Sequence, residues 1–258
     1  MTTPVLNETT DGVTTLTLAD EANRNALGVA LVEALREALA EANADPTVRA
    51  VVVTNTGTTF CAGANLKERA ASDAANSDTS GFEKLLVELQ TSCTPIVGKI
   101  RGHVVGGGMG LACALDIAIA DAEVKFGFTE VRLGVAPAII SVVCLPRMSR
   151  GQAMEAFLRG NRFPASQAAD LGLISRAVPA EQLDAEVDAV VDDLVRGGPQ
   201  ALATAKRLVN EVPAMGQSDA FRFTSALSAE LFSSAEAAAG VRAFLAHEPA
   251  PWVPGSSR

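Results

Sequence analysis

The amino-acid sequence predicts an α/β fold, in which a body of alternating strands and helices is followed by a tail that is all helix. Residues 50–54 form a continuous apolar run, which is typical of a parallel strand buried on both faces. An amphipathic pattern precedes this run at 28–44, and a second apolar run follows at 96–100. From about residue 181 onwards most residues are helix formers. These observations predict the α/β body and its helical tail.

The first elements are predicted from hairpin and helix signals. Val5 to Thr9 and Val13 to Leu18 are strand-like runs that flank Asp11-Gly12, a pair typical of tight β-hairpin turns. Val29, Leu31, Val32, Leu35 and Leu39 then recur near helical spacing and predict a helix from Gly28 to Ala44. The segment from Thr56 to Glu68 begins without periodicity and ends in a helix-like polar stretch.

Later elements follow from the same patterns. Residues 73–81 are rich in Ser, Ala, Asn and Asp, so we expect this segment to be mobile or poorly packed. The tail should be broken at Gly197-Gly198-Pro199, Val212-Pro213 and Ser233-Ser234. Further strands are predicted at 96–100, 117–120, 124–128 and 174–178, with a helix at 82–90, a buried one at 138–145 and an exposed one at 151–158.

The segment from Arg101 to Ala120 combines a strand, a glycine hinge and the start of a helix. Gly106 to Gly108 have no Cβ, so the backbone there can approach a ligand closely. The first amides of a helix lack an internal acceptor and lie at the positive end of its dipole, which suits an oxygen that becomes negative. A plain tight turn is the alternative. A phosphate loop is the weaker option, because neither G-x-G-x-x-G nor a following Lys-Ser/Thr pair is present.

Composition excludes several functional classes. The chain has 258 residues, with 21 Lys and Arg against 30 Asp and Glu, so its net charge is −9. That balance argues against broad binding of nucleic acid or anionic membranes. The sequence has no apolar run near the roughly 20 residues needed to span a bilayer and no signal-peptide pattern at its start. We therefore expect no membrane partner, no nucleic-acid partner and a cytoplasmic location.

Cysteine and histidine are too sparse for several kinds of site. The four cysteines are far apart and form no Cys-x-x-Cys pair, so free thiols in a reducing compartment are expected. With only His103 and His247, a histidine-based metal site or a Ser-His-Asp triad has few residues available. We expect His103 to be structural, and we predict no metal.

Three segments together resemble the crotonase (enoyl-CoA hydratase/isomerase) superfamily. They are Ala62-Gly63-Ala64-Asn65, the glycines 106–108 with Asp116 eight residues beyond the last of them, and Phe126 to Pro137. The likeness extends over essentially the whole chain. It implies a crotonase-like spiral of ββα units over residues 1–196, followed by a C-terminal α-helical trimerisation region over 197–258. It also implies a homotrimer or a homohexamer made of two trimers.

The resemblance further implies an acyl-CoA thioester substrate and no separate cofactor, since coenzyme A is part of that substrate. The metabolic setting would be fatty-acid β-oxidation. By position, the N–H groups of Ala64 and Gly107 would hold the thioester oxygen as it becomes an enolate. The coenzyme A moiety would lie along Ala62, Asn65, Leu66, Lys67, Arg24 and Ala26. For Arg24 and Lys67, which are candidates for the phosphates, a solvated surface is the alternative.

This sequence departs from the superfamily at its acids. Hydratases of the family carry one Glu just after the glycines and a second in the Phe-Gly-x-x-Glu segment. The first position is Gly110 here, and the second is retained as Glu130. A third acid, found in dienoyl isomerases, would fall on Ala138. The Asp that often follows Ala-Gly-Ala is Asn65, which is expected to weaken the loop's local bonding. If room permits, Gly110→Glu should raise hydratase turnover.

One acid leaves the reaction open. Glu130 alone can move a proton between two carbons, as in a Δ3-Δ2 enoyl-CoA isomerase, or act on water first as base and then as acid. Family members with Gly at the first position and Glu-Val-Arg-Leu-Gly at the second resemble hydratases of branched or terpenoid glutaconyl-CoA esters, which favours an enoyl-CoA hydratase. A catalytically weak acyl-CoA-binding protein is the third alternative.

Apolar neighbours should raise the pKa of Glu130. The alternative is that Glu130 is a surface acid paired with Arg132. Asp116 is expected to be structural.

Overall fold

Strands and helices alternate along the body of the protein, and helices alone form its C-terminal part. The structure is a computed structural model that describes residues 3–71 and 80–253. The strands in this part of the chain are β1 (Val5–Thr10), β2 (Val13–Leu18), β3 (Ala50–Asn55), β4 (Thr59–Cys61), β5 (Ile96–Ile100), β6 (His103–Val105), β7 (Ile117–Asp121), β8 (Lys125–Gly127), β9 (Phe163–Pro164) and β10 (Arg176–Val178). The helices are α1 (Val29–Ala44), α2 (Leu66–Ala71), α3 (Ser80–Thr91), α4 (Gly107–Ala114), α5 (Ala138–Cys144), α6 (Arg150–Arg159), α7 (Ala165–Asp170), α8 (Leu183–Arg196), α9 (Pro199–Glu211), α10 (Gln217–Phe232) and α11 (Ala235–Ala246).

Successive strands are shared between two sheets. The large sheet has the order β1-β2-β3-β5-β7-β10, and the small sheet has the order β4-β6-β8-β9. Only the β1–β2 hairpin and the β8–β9 pair are antiparallel among these pairings. After the β1–β2 hairpin and α1, three successive turns of the chain each add one strand to the large sheet, one strand to the small sheet and then a helix, as in β5, β6 and α4. The repeated ββα spiral expected from the resemblance is confirmed.

The centre of the large sheet is buried on both faces, which explains the continuous apolar run of β3. Ala50 and Val52 point to α8, where Leu183, Val187, Val191 and Val195 form one buried stripe. Val51 and Val53 point to the main core, which is built from α1, α3, α4 and both sheets. Because side chains alternate along a strand, only a strand covered on both sides is apolar at every position.

Most predicted elements are present, and the differences have physical reasons. β4 and β9 were missed because strands of three and two residues carry no visible period. The helix predicted as buried at 138–145 is amphipathic instead: Ile140, Val143 and Cys144 are buried, but Val142 is 74 % exposed. In α1, Val29 is exposed while the other apolar residues of its predicted stripe are buried. The last strand begins at Arg176, two residues later than predicted.

The C-terminal helices end where the sequence predicted breaks, and α9 contacts the body. Lys206 Nζ donates to Leu89 O at 2.7 Å, and Asn210 Nδ2 donates to Gln90 O at 2.9 Å, so α9 satisfies carbonyls at the end of α3. The division into 1–196 and 197–258 stays a prediction. Of the segment 73–81, residues 73–79 lie outside the described residues, and Ser80 and Gly81 belong to α3.

Candidate active site

The small sheet brings three loops to one edge. β4, β6 and β8 are parallel, so their carboxyl ends lie together, and ligand sites commonly form at such edges. The loop after β4 contains Ala62 to Asn65, the loop after β6 contains Gly106, and the loop after β8 leads to Glu130. Gly106 N donates to Gly127 O at 3.0 Å, which ties the second loop to the third. The residues that the sequence singled out for chemistry are therefore adjacent.

The first two loops meet backbone against backbone at Gly63. Gly63 has φ +83°, and a Cβ there would lie 2.8 Å from Gly107 N. Glycine is the residue that meets both requirements, because it adopts positive φ without strain and adds no side-chain atom. This contact brings the peptide units before Ala64 and Gly107 together: a Cβ on Gly107 would lie only 3.6 Å from Ala64 N.

The direction of both N–H groups follows from peptide geometry. Gly63 O accepts from Leu27 N at 2.7 Å, and because the peptide is trans, Ala64 N–H points away from Leu27. Gly106 O accepts from Met109 N at 2.9 Å, so Gly107 N–H points out of the N-terminal end of α4. Gly107 is the first residue of α4, where an N–H has no acceptor within the helix.

Glu130 reaches the same place from the third loop. It begins a short 3-10 turn, Glu130–Leu133, which ends at Gly134 with φ 75°. Phe128, just before the turn, is fully buried and packs on Phe157 with the ring centroids 4.4 Å apart. A Cβ on Gly106 would lie 3.7 Å from Glu130 Oε1 and 3.6 Å from Gly63 Cα. The carboxylate therefore lies beside the glycine loop.

The environment of Glu130 disfavours its charge. Burial raises the pKa of the Glu130 carboxyl above its ordinary value, as the sequence predicted. Its Oε2 is buried and has no hydrogen-bond partner among the described residues. The alternative ion pair with Arg132 is not formed in this part of the chain. A desolvated carboxylate with one oxygen that lacks a partner among the described residues, next to two outward-facing amides, is a candidate for proton transfer.

The position of the family's first Glu is filled by another side chain. A Cβ on Gly110 would lie 2.8 Å from Ile140 Cβ, and Ile140 is 3 % exposed. Helix α5 thus packs directly onto the glycine, and a longer side chain would collide with it. The condition for Gly110→Glu, that room exists, is not met. No local pattern pairs positions thirty residues apart, so the sequence did not indicate this contact.

The residues proposed for coenzyme A lie on two adjacent segments. Ala62 N donates to Arg24 O at 3.1 Å, and Leu27 forms a parallel bridge with Ala64. Ala26 is buried, whereas Arg24, Leu66 and Lys67 are exposed. The two cations are accessible to a ligand, but their role stays a prediction, as do the roles of Ala62 and Asn65.

Two asparagines hold these segments in place. Asn65 Oδ1 accepts from Lys67 N and Glu68 N, and its Nδ2 donates to Glu68 Oε1 at 2.7 Å. Asn65 thus bonds the loop to the start of α2, and the expectation that it does so more weakly than an Asp stays a prediction. Asn25, which is fully buried, donates to Thr59 O at 2.8 Å and accepts from Asp20 N at 2.8 Å. Sequence reasoning missed this role because an Asn in a polar run is also typical of an ordinary turn.

Other polar residues that the sequence singled out are structural. Asp116 accepts from Ile96 N at 2.8 Å and pairs with Lys206 Nζ at 2.9 Å, as expected for a structural acid. His103 Nδ1 accepts from Lys125 N at 3.0 Å between neighbouring strands. All four cysteines are free, and burial raises the pKa of the Cys61 thiol to about 12. The part of the chain that the structure covers contains no metal-ligand cluster and no helix capable of crossing a bilayer.

Comparison with known proteins gives matches over nearly the whole chain. The family model described as "Enoyl-CoA hydratase/isomerase" matches residues 8–254. "Probable enoyl-CoA hydratase echA8" of Mycobacterium bovis is 30 % identical, over 93 % of this chain and 94 % of its own length. The solved structure of Pseudomonas aeruginosa AtuE matches with a TM-score of 0.91 and 32 % identity, over 97 % of this chain and 99 % of its own. An enoyl-CoA hydratase structure from Mycobacterium smegmatis matches with a TM-score of 0.91 and 28 % identity, over 96 % and 98 % of the two chains. The chain belongs to the enoyl-CoA hydratase/isomerase family, the crotonase superfamily.

Proposed function

We propose that this protein is an enoyl-CoA hydratase, which adds water across the double bond of a 2-enoyl-CoA thioester. The observation that carries the proposal is the position of Glu130: a desolvated carboxylate beside the glycine loop, where the N–H groups of Ala64 and Gly107 point outward. The relatives named as enoyl-CoA hydratases support the reaction class.

In this mechanism one carboxylate handles both proton transfers. Glu130 takes a proton from water as the water oxygen bonds to C3 of the substrate. The π electrons between C2 and C3 form a second bond between C1 and C2, and those of the carbonyl move onto the thioester oxygen. The N–H groups of Ala64 and Gly107 hold that enolate oxygen; one such donor is worth roughly 3–4 kcal/mol in other enzymes. Protonated Glu130 then gives the proton to C2, and the thioester carbonyl re-forms. Water is thereby added, and the carboxylate is regenerated.

The raised pKa of Glu130 suits both steps. A general acid–base group is most effective when its pKa lies near the working pH, because it can then both accept and release the proton. Burial supplies this shift here, since the ionised carboxylate has lost part of its hydration. No other side chain is required to move a proton in the cycle.

The contact between Gly110 and Ile140 favours a second candidate, the Δ3-Δ2 enoyl-CoA isomerase. That reaction moves one proton between two carbons and needs no second acid to hold a water molecule. An apolar side chain occupies the place of the first family Glu, so the site has one acid near an apolar wall. Such a wall lacks the second acid that holds the water molecule in the family's hydratases, and isomerisation does not need that acid.

Two substrates separate these candidates. The purified protein is incubated with 2-enoyl-CoA esters and, separately, with 3-enoyl-CoA esters, and products are identified by mass and retention. Formation of 3-hydroxyacyl-CoA from the 2-enoyl ester supports the hydratase. Migration of the double bond in the 3-enoyl ester, without gain of water from the 2-enoyl ester, supports the isomerase. Calorimetric binding of the esters with no product at any chain length would contradict both and indicate an acyl-CoA-binding protein.

For the coenzyme A moiety we propose the two adjacent segments around Arg24 and Lys67. Both side chains are exposed beside the loop that contains Ala64, so they can meet phosphates at the surface. Leu66, 57 % exposed, would contact the rest of the moiety together with Ala26, Ala62 and Asn65. Replacing Arg24 and Lys67 with Met should raise KM for the acyl-CoA while leaving kcat nearly unchanged.

We further propose a homotrimer or homohexamer assembled through residues 197–258. Phe221, Phe232 and Phe244 are 65 %, 79 % and 79 % exposed in the single chain. Large exposed apolar side chains on neighbouring helices are typical of interaction surfaces. Light scattering during size-exclusion chromatography gives the mass directly, and a monomer at micromolar concentration would contradict the proposal.

A further inference from the structure

Helix α1 begins without a cap of its own. Gly28, its N-cap residue, has no side chain, and the first turn of α1 contains no acid. A helix of 16 residues that starts this way leaves unsatisfied N–H groups at the positive end of its dipole. These groups are normally satisfied by an Asp, Asn, Ser or Thr at the N-cap.

Glu68 of α2 supplies the missing acceptor. Its Oε2 accepts from Val29 N at 3.1 Å, so a carboxylate from another helix caps α1. Gly28 makes room for it: a Cβ there would lie 2.9 Å from Glu68 Cδ. The carboxylate therefore joins α2, which directly follows the loop containing Ala64, to the start of α1.

The other oxygen of Glu68 is held by Asn65. Asn65 Nδ2 donates to Glu68 Oε1 at 2.7 Å, while Asn65 Oδ1 accepts from the backbone at the start of α2. Asn is the residue that fits, because one side chain supplies both a donor and an acceptor. An Asp in its place would put two carboxylates within hydrogen-bond distance of each other.

These bonds fix the peptide of Ala64 from both sides. On the N-terminal side Gly63 O accepts from Leu27 N, and on the C-terminal side Glu68 accepts from Val29 N. The segment 63–68 is thus hydrogen-bonded at two points to the segment 27–29. Ala64 lies between the two points, so the direction of its N–H depends on both.

We propose that Asn65 and Glu68 are a positioning pair, which aims the Ala64 N–H at the thioester oxygen by anchoring α2 to the N-terminal end of α1. This inference rests on the proposed function and assigns to these residues a role beyond lining coenzyme A. Neither residue touches the reacting atoms. A misplaced donor costs rate because its interaction strengthens as charge develops on the oxygen.

A polarity exchange tests the pair. Asn65→Asp places two carboxylates against each other. In Glu68→Gln, the new amide nitrogen at position 68 faces either the amide nitrogen of Asn65 or Val29 N, so in both cases two donors meet and one hydrogen bond is lost. In the double variant N65D/E68Q, the new amide at position 68 donates to the new carboxylate at position 65, and its oxygen accepts from Val29 N. Every bond is thereby restored, with donor and acceptor exchanged between the two side chains. Glu37→Ala, an exposed acid on α1, is the matched control.

We expect each single variant to lose roughly tenfold in kcat, with a smaller change in KM, and the double variant to recover to within about threefold of wild type. Hydrogen exchange of the segment 62–71 should rise in the single variants and fall again in the double variant. A purely structural role would lower the unfolding temperature without changing kcat of the folded protein. A double variant no better than the single variants, or single variants with wild-type kcat, would overturn the proposal.

The exchange measurement keeps this test separate from that of the proposed function. If wild type converts no 2-enoyl-CoA or 3-enoyl-CoA, the proposed function fails, and the pair is judged by exchange alone. If wild type is active while exchange and kcat are the same in all variants, the positioning pair fails and the proposed function stands.

Discussion

Two carboxylates lie near opposite ends of α4, and they differ in whether hydrogen bonds and an ion pair hold their oxygens. Burial raises the pKa of both Glu130, beside Gly106, and Asp116, two residues past the end of the helix. Asp116 pairs with Lys206 and accepts from Ile96 N, and burial lowers the pKa of Lys206 in turn. Glu130 has an oxygen with no partner among the residues that the structure describes.

The comparison shows that a shifted pKa alone does not mark a catalytic group. Burial acts on both acids, but Asp116 has donors that hold it in place, so it joins α9, β5 and β7. Glu130 retains an oxygen without a partner in residues 3–71 and 80–253, near two outward-facing amides. An unsatisfied polar atom in a native structure calls for an explanation, and proton transfer supplies one here.

The largest expected difference is in activity. Glu130→Gln removes the base but keeps the shape of the side chain, so kcat should fall roughly 10²–10⁴-fold. Asp116→Asn, the matched change at the other end of α4, should stay within about threefold of wild type. Steady-state kinetics on a 2-enoyl-CoA compares the two. A fully active Glu130→Gln variant would remove Glu130 from the mechanism.

The amides near Glu130 give the next largest effect. In Gly63→Ala the new Cβ would lie 2.8 Å from Gly107 N at φ +83°, so the two loops must separate. Turnover should fall roughly 10²–10³-fold, as when an oxyanion donor is lost. Gly151→Ala is the control, since nothing lies within 4 Å of its added methyl. Equal kcat for the two variants would show that the loop contact is not needed.

The pH dependence sharpens the contrast further. Glu130 acts first as a base, so hydration needs it ionised, and kcat/KM should fall about tenfold per pH unit below its pKa. Because that pKa is raised, the fall should begin above the ordinary value of about 4.3. Asp116→Asn should leave the profile where it is. Circular dichroism at each pH checks that the protein is folded. A pH profile that shifts in the Asp116→Asn variant would mean that Asp116, not Glu130, is the group that must be ionised.

A smaller effect is expected at the paired acid. Lys206→Met leaves Asp116 without its ammonium partner and should lower the free energy of unfolding by about 1–3 kcal/mol. The value lies below that of a fully buried pair because the Asp116 side chain is 24 % exposed. Urea unfolding measures it, and kcat should stay within about twofold. The double variant with Asp116→Asn should recover part of the loss, whereas an additive loss would mean that the pair is not coupled.

The smallest effect is the stability of Glu130→Gln. A carboxyl whose pKa is raised on folding is disfavoured in its ionised form, so removing the charge should stabilise the fold at pH values above that pKa. The gain should be less than about 1 kcal/mol, since Glu130 is only half-buried, and it should disappear at pH values below the pKa of the unfolded chain. Thermal unfolding at two pH values measures it. A large loss of stability would show that Glu130 is structural after all.

Much of the fold could be predicted from local pattern. The hairpin at Asp11-Gly12, the helix from 29 to 44 and the strand at 50–55 each carry a period or a turn signal within a few residues. β4 and β9 could not be predicted, because two or three residues hold no period. The half-exposed face of α5 was missed as well, since an apolar run does not show which of its side chains find a neighbour.

The candidate site divides in the same way. The glycine loop was indicated by residue type, because the backbone freedom of glycine is a local property, whereas Glu130 was indicated by the resemblance to the crotonase superfamily. Three contacts of the site join residues about thirty to forty positions apart: the packing of Ile140 on Gly110, the hydrogen bond from Val29 N to Glu68, and the hydrogen bond from Asn25 to Thr59 O. No period or motif in a single chain encodes such pairs.

By itself, the sequence determined the glycine loop at 106–108, and its resemblance to the crotonase superfamily indicated the acid of the Phe-Gly-x-x-Glu segment and the amide of Ala64. Only the tertiary structure decided which acid is free. Asp116 and Lys206 are ninety residues apart in the chain and 2.9 Å apart in space, whereas Glu130 Oε2 has no such neighbour in the described residues. The reason is physical: hydrogen bonds and ion pairs require contact within about 3–4 Å, and only the packing of distant segments sets that distance.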